Sequence, residues 1–108
     1  MKPLNLLLIV FIVVLVGCAS HDYRVKNNKL YLRLNKPDAQ TVYFASSLDG
    51  FTLHKAERLD SNTWQIVLSA GTEIRYFYMI DDLLYVPPCR FKERDDFGTE
   101  NCIYVPGM

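Results

Sequence analysis

The feature that most constrains this chain is an uncharged apolar run near its N-terminus. Residues 4–16 are apolar except for Asn5, and a single base, Lys2, precedes them. A transmembrane helix needs about 20 apolar residues, so this run of 13 residues is short for a membrane span. It has the length of the hydrophobic region of a secretory signal peptide. We therefore predict that residues 1–17 are a signal peptide and that the folded domain lies downstream, in an exported compartment.

The run closes with Leu15, Val16, Gly17 and Cys18. These four residues resemble the lipobox of bacterial lipoproteins. The resemblance implies that the Cys18 thiol receives a diacylglyceryl group, that cleavage falls before Cys18, and that fatty acids such as palmitate anchor the protein to a cell-envelope membrane. Ala19, where an aspartate would favour the inner membrane, favours the periplasmic face of the outer membrane. An ordinary signal peptide followed by a chance cysteine is the alternative.

The mature chain is small and almost uncharged overall. Without residues 1–17 it has 91 residues, with 11 bases and 12 acids, for a net charge of −1. This length allows one domain. The mature chain has no excess of basic residues, so its composition does not suggest a nucleic-acid partner. It also lacks a polybasic segment that could bind anionic lipid. Membrane attachment is therefore expected to come from acyl chains, at about 0.8 kcal/mol for each buried CH₂ group.

Two cysteines remain besides Cys18. Cys89 and Cys102 are separated by 12 residues. Because exported proteins fold in an oxidising compartment, the pair is predicted to form a disulfide. The alternative is two free buried thiols. A redox or zinc motif is not supported, because a Cys-x-x-Cys spacing is absent.

The mature sequence is predicted to begin with a short polar segment, which is followed by a series of short strands. Residues 18–28 are predicted to be a lipidated tether, and residues 29–108 the domain. Residues 90–96 are predicted to be a charged loop. Short alternating segments separated by turns favour an all-β antiparallel sandwich; the predicted strands are 29–34, 41–46, 51–59 with an irregular middle, 63–68, 73–80, 83–86 and 102–105.

Three segments carry a resemblance to a known family through their sequence and their order. They are residues 42–51, ending in Leu-Asp-Gly-Phe; residues 70–81, with Tyr-Phe-Tyr-Met-Ile-Asp; and residues 97–105, Phe-Gly-Thr-Glu-Asn-Cys-Ile-Tyr-Val. Together they resemble the glycogen-binding domain of the β-subunit of AMP-activated protein kinase. The resemblance covers about residues 41–105 with matching spacing. It implies a small immunoglobulin-like sandwich of the early-set type, with a carbohydrate-binding face.

Key positions of that sugar-binding face are altered here. Phe51 and Leu84 stand where the family has its two tryptophans, and Phe77 stands at its lysine. Thr99 and Asn101 match residues that hydrogen-bond sugar in the family.

These changes, together with Phe97, would turn a polar platform into an apolar patch if the residues share a face. Such patches usually mark protein contacts. We therefore expect a non-catalytic, membrane-anchored lipoprotein that serves as a protein-interaction or accessory module of the cell envelope. The alternative is an α-glucan-binding module with a degenerate sugar platform. A third possibility is that the acylated N-terminus or the 90–96 loop covers the patch.

Nothing in the sequence favours an enzyme. Neither histidine has a plausible serine or cysteine nucleophile as a partner, and no glycine-rich phosphate loop is present. The acids that might serve a glycosidase or a calcium site fall at turn and loop positions, where acids are ordinary: Asp81, Asp82, Glu93, Asp95 and Asp96. We expect no cofactor and no metal.

The predicted strand at residues 73–80 shows most clearly which side chains should face the core and which should face outwards. Successive side chains of a strand point to opposite sides. The apolar stripe of Ile74, Tyr76, Tyr78 and Ile80 is expected to face the core. Phe77 must then point outwards, where it would belong to the working surface.

Overall fold

The computed structural model describes residues 21–108, so the predicted signal peptide and Cys18 lie outside the described residues. A short 3-10 helix, Ser47–Asp49, accompanies ten strands. The strands are β1 (His21–Lys26), β2 (Lys29–Asn35), β3 (Val42–Ser46), β4 (His54–Lys55), β5 (Glu57–Arg58), β6 (Thr63–Ser69), β7 (Ile74–Ile80), β8 (Leu83–Tyr85), β9 (Phe91–Arg94) and β10 (Glu100–Tyr104). Within residues 21–108, no helix is long and apolar enough to span a bilayer.

Two antiparallel sheets pack together, which confirms the predicted all-β sandwich. The first has the order β1-β2-β6-β5, and the second has the order β4-β3-β7-β10-β9. One edge of β7 pairs with β3. The other edge is shared, because β10 pairs with the first half of β7 and β8 with its last residues. Strand β7 is thus central to the second sheet.

The core lies between the sheets and follows the period-two pattern of the sequence. In β2, Leu30, Leu32 and Leu34 are fully buried, and their cross-strand partners in β6 are Leu68, Ile66 and Trp64. The facing layer comes from alternate residues of β3, β7 and β10: Val42, Phe44, Ile74, Tyr76, Tyr78, Cys102 and Tyr104. Burial of these side chains is the main stabilising term for a domain of this size.

Two tight hairpin turns set the register of the strands beside them. Asn27 and Asn28 connect β1 to β2, and Asp81 and Asp82 connect β7 to β8; all four have positive φ angles. Two-residue turns of this conformation match the twist of antiparallel strands, and Asn and Asp tolerate it better than most residues.

The predicted cysteine pair lies at disulfide distance. Cys102 is fully buried in β10, and Cys89 lies in the connection between β8 and β9. Their Cα atoms are 6.0 Å apart, within the usual range for a disulfide. The bond joins this connection to the core face of β10.

The described part of the predicted tether is a strand. Residues 21–26 form β1, which pairs along its whole length with β2. His21, Tyr23 and Val25 pair with the three core leucines of β2, so they lie on the inner side of the sheet. Tyr23 packs edge-on against the Tyr104 ring, with ring centroids 6.0 Å apart. The period-two pattern was present in the sequence, but the charged residues between these three side chains concealed it.

Two further assignments also differ from the expectation. Residues 51–59 do not form one strand, because the chain leaves the second sheet after β4 and enters the first at β5, with buried Ala56 between them. Most of the predicted charged loop at residues 90–96 is β9, an edge strand paired with β10. Charged side chains are common on edge strands because they hinder pairing with other chains.

Candidate binding surface

The outer side of the second sheet carries the residues singled out from the sequence. Phe77 pairs with Ala45 on one side, and two residues on, Met79 pairs with Leu84. Because side chains alternate, these residues share the outer face with Asn101, which precedes core-facing Cys102. Phe77 therefore points away from the core and is half-buried rather than fully exposed.

The Phe51 ring stacks on the ring of Phe77. The two rings are nearly parallel, with an interplanar angle of 13° and centroids 5.8 Å apart. Phe51 reaches this position from the β3–β4 loop, where its φ is +65° and its N–H donates to the Ser46 carbonyl oxygen at 2.8 Å. A positive φ is uncommon for a bulky residue, so the loop must hold this conformation through other contacts.

Asp49 supplies those contacts. Its Oδ1 accepts the Thr52 N–H at 3.3 Å, and its main-chain carbonyl accepts the Thr52 hydroxyl at 3.0 Å. Its Oδ2 accepts a hydrogen bond from His54 Nε2. The hydrogen bond from His54 holds the pKa of the Asp49 carboxyl below its usual value. The Asp49–His54 pair thus closes the loop that presents Phe51.

A shallow groove of about 270 Å³ brings together most of the predicted site residues. Phe51, Phe77, Leu84, Thr99 and Asn101 all line it. The structure does not bring Phe97 into the groove: its side chain is 93% exposed at the tip of the β9–β10 hairpin.

The sixth lining residue, Asp95, was not singled out as a binding residue from the sequence. Its Oδ1 accepts the N–H groups of Phe97 and Thr99, both at 2.9 Å. Gly98, with φ of +82°, donates its N–H to the Asp95 carbonyl oxygen at 3.0 Å. An Asp that precedes a glycine by a few residues is a common turn signal, but the turn alone does not reveal that Asp95 also lines a groove.

Asn101 is the most buried polar residue of the groove. It is 4% exposed, and no side-chain hydrogen bond found within residues 21–108 involves its amide. Over the same residues, no buried side-chain nitrogen or oxygen is both sealed from solvent and without a partner. The Asn101 amide therefore keeps its access to solvent, and the groove that it lines provides the opening.

A charge cluster borders the groove on the same face. Arg75 Nε donates to both carboxylate oxygens of Glu93, at 2.9 and 2.8 Å, and Arg75 Nη1 lies 3.1 Å from Glu73. These carboxylates raise the pKa of Arg75, chiefly through the hydrogen bonds to Glu93. One arginine faces two carboxylates, so the cluster carries a formal charge of −1 and adds to the negative charge of Asp95 beside the groove.

The outer side of the first sheet is different in character. There, charged and polar residues of neighbouring strands face one another, as in the Asp22–Arg33 and Glu57–Gln65 pairs. Arg33 Nε also donates to Gln65 Oε1 at 3.0 Å. Val67, which is 45% exposed, lies opposite half-buried Tyr31 on this face. A small apolar pair among charged and polar neighbours is normal on protein surfaces.

No protein-family model matches the chain, and no curated protein sequence matches it. In the part of the chain that the structure describes, no group of three or more histidine, cysteine or acidic side chains could hold a metal ion.

Proposed function

We propose that the mature chain is a lipid-anchored, non-catalytic protein of the bacterial cell envelope that binds another envelope protein. The observation that carries this proposal is the contrast between the two outer faces. One carries mostly charged and polar pairs with a single Tyr31–Val67 pair, whereas the other presents the Phe51–Phe77 stack and Leu84 around a groove. An apolar surface rimmed by polar groups is typical of a protein contact.

The exposed apolar side chains of the groove form the proposed contact surface. Leu84 lies opposite Met79 on the outer face and is 50% exposed. Phe51, which stacks on Phe77, is 38% exposed. Exposing these side chains to water is unfavourable, so covering them would contribute to binding a partner.

Support for the lipid anchor comes from the resemblance of residues 15–18 to a lipobox and from the apolar run before it. Two residues separate Cys18 from β1, so the chain between Cys18 and His21 can span at most about 11 Å. The anchor would thus hold the sandwich close to the bilayer, within reach of membrane-bound partners. Mass spectrometry of the protein purified from membranes should show an N-terminus at diacylated or triacylated Cys18; an intact Met1 would refute the anchor.

The binding surface is tested by in-cell cross-linking of the wild-type chain and two lysine variants. Phe77→Lys places a charge in the groove, and Val67→Lys places one at an exposed position on the opposite outer face. We expect a specific cross-linked species in the wild type and in Val67→Lys, and its loss in Phe77→Lys. Equal cross-linking in all three proteins would contradict the proposal.

One observation favours a second candidate, an α-glucan-binding module. Thr99 and Asn101 line the same groove as Phe51, and sugars bind through polar groups next to aromatic faces. Retention of the wild-type protein on amylose or glycogen resin, lost in Phe51→Ala and kept in Val67→Ala, would establish this function. Absence of retention would exclude α-glucan binding at the groove.

A further inference from the structure

We propose that the groove takes an extended peptide segment of the partner, with an aliphatic side chain between Phe51, Phe77 and Leu84, and with a lysine or arginine next to it near Asp95. The inference rests on the proposed protein-binding function and specifies the chemistry of the partner. It is carried by three properties of the groove: an unpaired amide, an apolar part of limited size, and a single charged side chain.

The amide of Asn101 is the group expected to bind the main chain. An asparagine side chain offers a carbonyl acceptor and an N–H donor, the same two groups that a peptide unit presents. Asn101 is 4% exposed and lies on β10 facing the groove. In the free protein this amide reaches solvent only through the groove, and an extended chain crossing the groove would replace that solvent with the donor and acceptor of a peptide unit.

The apolar part suits an aliphatic side chain better than a sugar ring. Phe51 and Phe77 lie against each other, so this stack uses one face of each ring. Leu84 contributes methyl groups instead of a flat surface. The volume of about 270 Å³ lies just below the range of about 300–1,000 Å³ for small-molecule pockets. A single leucine- or valine-sized side chain with its flanking main chain fits such a groove.

The charge of the groove selects the neighbouring residue. Asp95 is the one charged side chain among the six described residues that line the groove. Its Oδ1 accepts two main-chain N–H groups, and no hydrogen bond found within residues 21–108 reaches its Oδ2. Arg94 precedes Asp95 and Asp96 follows it, so the formal charges of these two neighbours offset each other and leave that of Asp95 itself. A basic residue on the partner would be attracted to this end, and an acidic one would be repelled.

The test uses the full chain purified from membranes in detergent micelles. The NMR signals of the Asn101 side-chain amide are followed during titration with acetyl-Lys-Leu-Val-Lys-amide, with acetyl-Glu-Leu-Val-Glu-amide and with maltoheptaose. We expect a saturable shift with the basic peptide and none with the other two. A shift with maltoheptaose alone, equal shifts with both peptides, or no shift with any of the three probes would overturn the inference.

Two asparagine variants test the role of charge at nearly constant shape. Asp95→Asn keeps the Oδ1 acceptor of the turn and removes the charge, whereas Asp96→Asn removes the charge of a residue outside the groove. We expect affinity for the basic peptide to fall about fivefold in Asp95→Asn, the size expected for a partly exposed ion pair, and less in Asp96→Asn. Equal affinities for wild type and Asp95→Asn would overturn the electrostatic part of the inference.

The outcome also separates this inference from the proposed function. If Phe77→Lys removes the cross-linked species in cells while neither peptide shifts the Asn101 signals, the partner binds as a folded surface and the extended-peptide inference is wrong. The proposed protein-binding function would survive that result.

Discussion

His21 should make the domain less stable as the pH falls from about 7 to about 5. The ring lies between the sheets, with Nε2 3.0 Å from the Tyr78 hydroxyl oxygen and its centroid 6.0 Å from that of the Tyr76 ring. Burial lowers the pKa of His21 from 6.5 to about 4, and the neighbouring Asp22 carboxylate offsets part of this effect. Tyr76 and Tyr78 give the imidazolium no charged partner, because burial raises their own pKa values.

The sign and the size of the effect follow from these pKa values. Between about pH 6.5 and pH 4 the unfolded chain binds a proton at His21 that the folded chain does not, so stability rises with pH in this window. With a pKa of about 4 in the folded state, the free energy of unfolding should fall by about 2 kcal/mol between about pH 7 and pH 5. The full loss at lower pH approaches about 3 kcal/mol.

Urea unfolding, followed by the fluorescence of buried Trp64, measures this loss at each pH. The informative variant is His21→Phe combined with Tyr78→Phe, because removing both partners leaves no buried hydroxyl unpaired. Its unfolding free energy should change much less than that of the wild type over the same range, because the buried imidazole that causes the loss is absent. Equal slopes in wild type and the double variant would refute the burial of His21.

Three further predictions test other parts of the structure. Phe77→Lys should lower the unfolding free energy by only about 1 kcal/mol, because it loses the stack on Phe51 while the lysine stem can lie along the groove and keep its ammonium in water. The midpoint of thermal unfolding should fall by about 4–8 °C. A loss above about 3 kcal/mol would assign Phe77 to the core. Replacing Cys89 and Cys102 by serine should cost about 3 kcal/mol in urea unfolding, since the bond closes a loop with a sequence separation of 13; an unchanged midpoint would contradict the disulfide. Asp81→Ala should destabilise the protein more than Asp81→Asn does, because only asparagine keeps an acceptor for the Thr41 and Gln40 N–H groups; equal thermal midpoints would contradict this role.

The core could be predicted from the sequence because its signal is strong and local. In β2 and β7 an apolar residue recurs at every second position, and the inward stripe is buried as the alternation requires. The same alternation predicts that Phe77 points outwards. Edge strands give a weaker signal, since they bury little on either face. In β1 only His21 is partly buried and in β9 only Glu93, so neither segment shows an apolar stripe that would predict a strand.

The groove could be predicted only in part, for a physical reason. Phe51, Phe77 and Leu84 were selected by analogy of position, and their proximity depends on strand pairing between distant segments. The sequence could not show that Phe51 stacks on Phe77, because the stack requires a positive φ at Phe51 and the Asp49 contacts that close its loop. Phe97 was grouped with them by the same reasoning, yet the β9–β10 turn directs it away from the groove into solvent.

Three aspartates in three separate turns determine where the lining residues stand. Asp49 closes the loop that carries Phe51, and Asp95 shapes the hairpin before Thr99 and Asn101. Asp81 accepts N–H groups from the β2–β3 connection, which fixes the tight turn that sets Leu84 opposite Met79. Hydrogen bonds to main-chain N–H groups lower the pKa of Asp81, first that from Thr41 and then that from Gln40. Turn positions made these acids look ordinary in the sequence. In the folded chain each of them places a side chain of the groove, so the shape of the proposed binding surface depends on turn chemistry as much as on the apolar residues that line it.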